Sequence, residues 1–128
     1  MKLIDFGLSR SVREERVDRL TRDGFTVGTP MYMAPEQALG DERADHRVDL
    51  YALGVTLYEM LTGQLPLDGP SYTVELSRVL ACAPEPPRKL RADVPPALDA
   101  VVVRALDKEP GRRFADAAEF RGALVAAL

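Results

Sequence analysis

Apolar positions concentrate in the second half of the chain and fall into helix-like blocks. From Val48 to Leu61, VDLYALGVTLYEML is apolar nearly all the way round, broken by Asp49, Thr56 and Glu59, and Gly63 follows as a C-terminal stop. A helix apolar on every side belongs at the centre of a domain. SYTVELSRVLA (71–81) predicts a second helix of moderate amphipathicity. It runs into PEPPRKLRADVPP (84–96), where the prolines predict an extended connection rather than regular helix. ALDAVVVRALDK (97–108) places Leu98, Val101, Val102, Ala105 and Leu106 on one face, after a proline pair suited to a helix start. In ADAAEFRGALVAAL, Asp116 stands at a capping position with Glu119 three residues on, and Phe120, Leu124 and Leu128 form one stripe.

The first half reads differently. Lys2-Leu3-Ile4 is no more than a strand end, and residues 8–27 mix five arginines with four acidic residues without an apolar stripe, the pattern of a solvated loop. The expected fold class is therefore mainly α, without repeats or low-complexity tracts.

Composition narrows the function. A chain of 128 residues with 46% hydrophobic content has room for one domain and its core. A net charge of -3, with both signs interspersed, gives no basic excess to hold a phosphate backbone, so nucleic acid is not an expected partner. Cys82 is the single cysteine and His46 the single histidine, which excludes an internal disulfide and a zinc cluster. His46 reads as a loop residue without assigned chemistry. No signal-peptide pattern opens the chain, and no stretch approaches the roughly 18 uninterrupted apolar residues of a membrane span. A soluble, cytoplasmic protein is expected.

Five short motifs then fall in one order: DFG (5–7), GTPMYMAPE (28–36), DLYALG (49–54), GQLPL (63–67) and DKEPGRRF (107–114). A lone DFG is a common turn; five ordered motifs are specific. The chain resembles the C-terminal part of a Hanks-type protein kinase domain, most closely the bacterial serine/threonine branch. The resemblance covers essentially all 128 residues. It implies the helical C-terminal lobe of the protein-kinase-like (α+β) fold, with residues 1–36 as the metal-binding turn and activation segment and 37–128 as the helical lobe.

The resemblance also assigns roles. Asp5 would hold the magnesium that bridges ATP phosphates, with Phe6 as an apolar pin and Gly7 allowing the turn. Ser9, Ser11, Thr21 and Thr26 are candidate phosphorylation sites, Thr21 and Thr26 foremost, although any single hydroxyl can equally be merely solvated. Gly28, Thr29, Pro30 and Tyr32, with Met31, resemble the floor under the substrate residue after the phosphoacceptor. Thr29 points to serine/threonine rather than tyrosine acceptors; its alternative is a packing threonine in a turn. Glu36 and Arg113 resemble the buried ion pair that ties the activation segment to the base of the lobe, with Arg112 the competing partner. Asp49, polar within an apolar helix, is either a plain N-cap or the family aspartate that accepts hydrogen bonds from the catalytic loop.

The 128 residues contain no glycine-rich loop, no strand lysine with its glutamate and no catalytic loop with its base. Those groups position and stabilise the reaction, so ATP and magnesium are expected to serve the parent kinase rather than bind productively to this chain, which is expected not to phosphorylate anything by itself. Met1 stands where the family often has valine or isoleucine, which raises the expectation of a start codon misplaced inside a longer gene. The chain is then a piece of an active kinase, a binding module that docks on or competes with full kinases, or a decayed remnant. The presence of Asp5 favours recent descent from a working enzyme, since a docking module has no physical need for a metal ligand. Apolar surface left open on the 48–61 helix predicts self-association or a partner such as the missing kinase half.

Overall fold

The computed structural model describes residues 32–128. Six helices and a 3₁₀ turn make up this region, and no strand occurs among the described residues. Residues 2–4, the Asp5-Phe6-Gly7 motif and residues 8–27, read above as a loop, lie outside it.

Helix α1 is a single turn, Pro35–Ala38, with proline at its first position and the Ala34 N–H donating to Gln37 Oε1. Helix α2, Arg47–Thr62, occupies the predicted apolar run. His46 is its N-cap residue and caps with no side-chain bond; Asp45 Oδ1 instead accepts the Arg47 N–H at 3.0 Å. At the far end Gly63 adopts φ 73°, and its N–H closes on the Glu59 carbonyl. That left-handed residue costs a glycine little, which is why the helix stops there. Arg91 also reaches the Leu61 carbonyl, satisfying another group at the open helix end.

Helix α3, Tyr72–Ala81, starts where Ser71 Oγ accepts the Val74 N–H, and it packs against α1. The following proline-rich stretch is not wholly extended. It contains a one-turn helix, α4, Pro87–Leu90. The prolines permit this because Pro87 takes the first position, where no intrahelical N–H is needed, and its ring is buried. Arg88 secures α4 by donating its N–H to Asp99 and a guanidinium N–H to the Val94 carbonyl.

Helix α5, Pro96–Ala105, begins on the proline pair and lays Leu98, Val101, Val102 and Ala105 inward. The 3₁₀ turn Pro110–Arg112 leads to α6, Ala117–Ala127. Asp116 caps α6 by accepting the Glu119 N–H at 2.8 Å. The reciprocal half of the expected capping box is displaced by one residue. Glu119 Oε2 accepts from the Ala115 N–H, not from Asp116, while its other oxygen takes the Arg104 guanidinium at 2.9 Å. The predicted stripe ends early: Phe120 is buried, but Leu128 is exposed just beyond the helix.

Helix α2 is the centre of this arrangement because two apolar clusters meet on it. Tyr51, Val55 and Tyr58 pack with Ala34, Val102 and Leu106; Leu50 packs with Val101, Ala105, Phe114 and Phe120. Its contact with α5 is close: a Cβ at Gly54 would lie 2.8 Å from the Ala105 Cβ. One part of α2 remains open, however. Thr56 and Met60 are exposed, Met60 at 73%.

Candidate functional site

The described lobe gathers its charged chemistry around one arginine. Arg113 leaves the 3₁₀ turn in extended conformation, and its side chain runs into the space between α1 and α2. Its two terminal nitrogens fork onto Glu36, at 2.6 Å to Oε1 and 2.9 Å to Oε2. Nε donates to the Asp107 carbonyl at 2.7 Å, and the remaining N–H groups point to the Arg47 and Lys108 carbonyls, both at 3.4 Å. All five donors of the guanidinium are thereby used, a number that no other side chain supplies. The Tyr51 ring closes the last side, its centroid 5.0 Å from the guanidinium carbon.

Burial makes this pair consequential. The Arg113 side chain has no exposed surface and that of Glu36 retains 8%. Charges so far from water persist only when paired and fully hydrogen-bonded, as these are. The adjoining sequence position behaves otherwise: Arg112 is exposed, and its carbonyl accepts from Arg104 Nε. Arg104 lies over the Phe114 ring at 4.2 Å and so covers the segment that carries Arg113.

Three buried polar atoms around this centre have no hydrogen-bond partner among the described residues, Arg47 Nε being the first. The Tyr51 hydroxyl is the second, and burial pushes its pKa up to about 12. Lys108 Nζ is the third, and desolvation lowers its pKa from the usual lysine value.

A second junction holds Tyr32. Its hydroxyl donates to Glu59 Oε1 at 2.7 Å, across 27 residues of sequence. Burial first, and the Glu59 carboxylate second, raise the phenol's pKa. Glu59 was legible only as an interruption in an apolar run. The signal that would have marked it is the one applied to Asp49: a polar residue on an apolar helix must meet a partner.

Of the other residues singled out from sequence, Asp49 sits in the first turn of α2, its N–H bonded to the His46 carbonyl. It is therefore not the N-cap, a position that His46 takes. Asp5, Phe6, Gly7, Ser9, Ser11, Thr21, Thr26, Gly28, Thr29 and Pro30 lie outside the described residues. No group of three or more His, Cys, Asp or Glu residues suited to a metal occurs among the described residues. No described helix is long and apolar enough to cross a membrane.

The sequence matches a family model. The model of the protein kinase domain covers residues 1–121. The chain belongs to the protein kinase domain family. Within that family it is 42% identical over 130 residues to the serine/threonine-protein kinase Pkn3 of Myxococcus xanthus, covering 98% of this chain. It is 42% identical over 125 residues to the serine/threonine-protein kinase PknB of Mycolicibacterium smegmatis, again over 98% of the chain. The tyrosine-protein kinase MasK of Myxococcus xanthus is 41% identical over 124 residues, or 97% of the chain. The kinase-family chain spans only about a fifth of these relatives, 23%, 20% and 19% of their lengths respectively. Its described part is the helical C-terminal lobe of the kinase fold, as the ordered motifs imply.

Proposed function

We propose that this chain is the substrate-facing half of a serine/threonine protein kinase, and that it does not transfer phosphate by itself. The observation that carries the reading is the Glu36–Arg113 fork. It fixes the residue that closes the activation segment to the base of the lobe by a buried, fully bonded pair. Tyr32, hydrogen-bonded to Glu59, is anchored four residues before it. Gly28, Thr29 and Pro30, separated from this anchor only by Met31, would supply the floor on which an acceptor peptide lies.

In the parent enzyme, Asp5 would hold magnesium, a hard cation that would supply charge neutralisation for phosphoryl transfer. The chain's own share would be positional: Phe6 and Gly7 would serve the presentation of Asp5, and Thr29 with Pro30 would orient the acceptor. Thr21 and Thr26 are the proposed phosphorylation sites of the segment, where about two negative charges would recruit its arginines. The groups that position ATP and remove the acceptor's proton are not among these 128 residues. The protein is placed in the cytoplasm, with protein substrates and the complementary kinase half as partners.

The test is a radiolabelled ATP transfer assay on the purified chain with magnesium and a basic protein substrate, beside Asp5→Asn. No transfer is expected; transfer lost in Asp5→Asn would overturn the proposed inactivity. The acceptor class is read in the parent kinase by phosphoamino-acid analysis. Phosphoserine and phosphothreonine are expected, and phosphotyrosine alone would place the chain with relatives of the kind MasK is named for.

A further inference from the structure

The single histidine, which carried no role in the sequence, makes a contact across 69 residues: His46 Nε2 lies 2.5 Å from the Ala115 carbonyl oxygen. A carbonyl only accepts, so Nε2 carries the proton and donates. His46 occupies the N-cap of α2 yet does not cap it, so its ring is free to serve another element. The element it reaches is the segment that holds Arg113. Ala115 is the second residue after Arg113, and its own N–H is taken by Glu119. The other side of the junction is equally constrained, because the Arg47 carbonyl, next to His46, accepts from Arg113.

We propose that His46 is a strap that holds the Arg113–Ala115 segment against the N-terminus of α2, and so positions Arg113 for its fork onto Glu36. The pair is thereby held from two sides, by the carboxylate within and by the imidazole at the surface. The ring stands beside one carboxylate, Asp45 Oδ2, 4.0 Å from Nδ1, and that carboxylate is shared with Arg47 at 3.6 Å. Donation to Ala115 needs only the Nε2 proton, which the neutral Nε2–H tautomer and the cation both carry. The strap concerns the assembly of the lobe and stands whether or not the chain transfers phosphate.

Limited trypsin digestion of the 128-residue chain reads it directly. The Arg113 side chain is fully buried, so trypsin cuts after it only when the segment opens. Losing one hydrogen bond in His46→Ala should raise the rate of that cut about fivefold, while the cut after exposed Arg91 stays unchanged. His46→Gln, whose amide also donates, should restore most of the protection. Equal rates at Arg113 in wild type and His46→Ala would overturn the proposal, as would a parallel rise at both sites, or failure of glutamine to rescue. Nitrogen-15 NMR of the unmodified chain supplies a check independent of any variant: the neutral imidazole should be the Nε2–H tautomer, and an Nδ1–H tautomer would overturn the strap.

Discussion

Arg113 spends every N–H it has, which separates it from an ordinary ion-pair partner. Glu36→Gln should leave a buried cation short of its counter-charge and cost about 3–5 kcal/mol in urea denaturation. Arg113→Lys keeps the charge but not the planar fork, and should lose most of the same stability, because one ammonium cannot reach Glu36 and the carbonyls of Asp107, Arg47 and Lys108 together. Full stability in Arg113→Lys would mean that charge alone matters. Tyr51, under the guanidinium, makes a pH prediction. Its folded pKa is raised from 10.0 to about 12 by burial. The folded state therefore keeps a proton that the unfolded state sheds above its ordinary value, and the stability is complete below pH 10 and falls between 10 and about 12. Tyr51→Phe should flatten part of that alkaline decline and be close to neutral at pH 7, since the hydroxyl it removes has no described partner. An unchanged alkaline profile would argue against burial as the cause.

At the scale of elements, the α2–α5 contact depends on a missing side chain. Alanine is the better helix former by about 1 kcal/mol. Even so, Gly54→Ala should destabilise the lobe by about 1–3 kcal/mol, because the new methyl would meet Ala105 Cβ at 2.8 Å and Leu106 Cδ2 at 3.2 Å. Adding Ala105→Gly should recover part of the loss; if Gly54→Ala raises the melting temperature, the two helices are not in firm contact. Most helix boundaries were legible, since Gly63, Pro96 and Asp116 each act through their own backbone or an immediate neighbour, but the helix expected over 97–108 ends at Ala105. Helix α4 was not, because proline content argues against helix in general while one proline at a first position argues for it. Nor was the shifted cap of α6. The Glu119 carboxylate is drawn by Arg104, a residue of another helix, and no local pattern records that.

For the whole molecule, the open part of α2 matters most. An apolar central helix that leaves Met60 73% exposed, with Leu39 at 70% elsewhere on the lobe, should favour association. Light scattering after size exclusion is expected to give a mass that rises with concentration, and Met60→Gln is expected to reduce the rise. A concentration-independent monomer with a sharp cooperative melt would count against it.

The sequence by itself determined the class of fold, the positions of the long helices and the family, because these rest on periodicity, caps and ordered motifs that are local along the chain. It also named both ends of the Glu36–Arg113 pair, but only through the family pattern, and it left Arg112 as a rival. Tertiary structure alone decided between those arginines. It also supplied Glu59 as the partner of Tyr32 and turned His46 from an idle loop residue into a contact with Ala115. The reason is physical: hydrogen bonds between residues 27 to 77 positions apart depend on how helices pack, and packing is set by the whole set of buried side chains rather than by any one stretch.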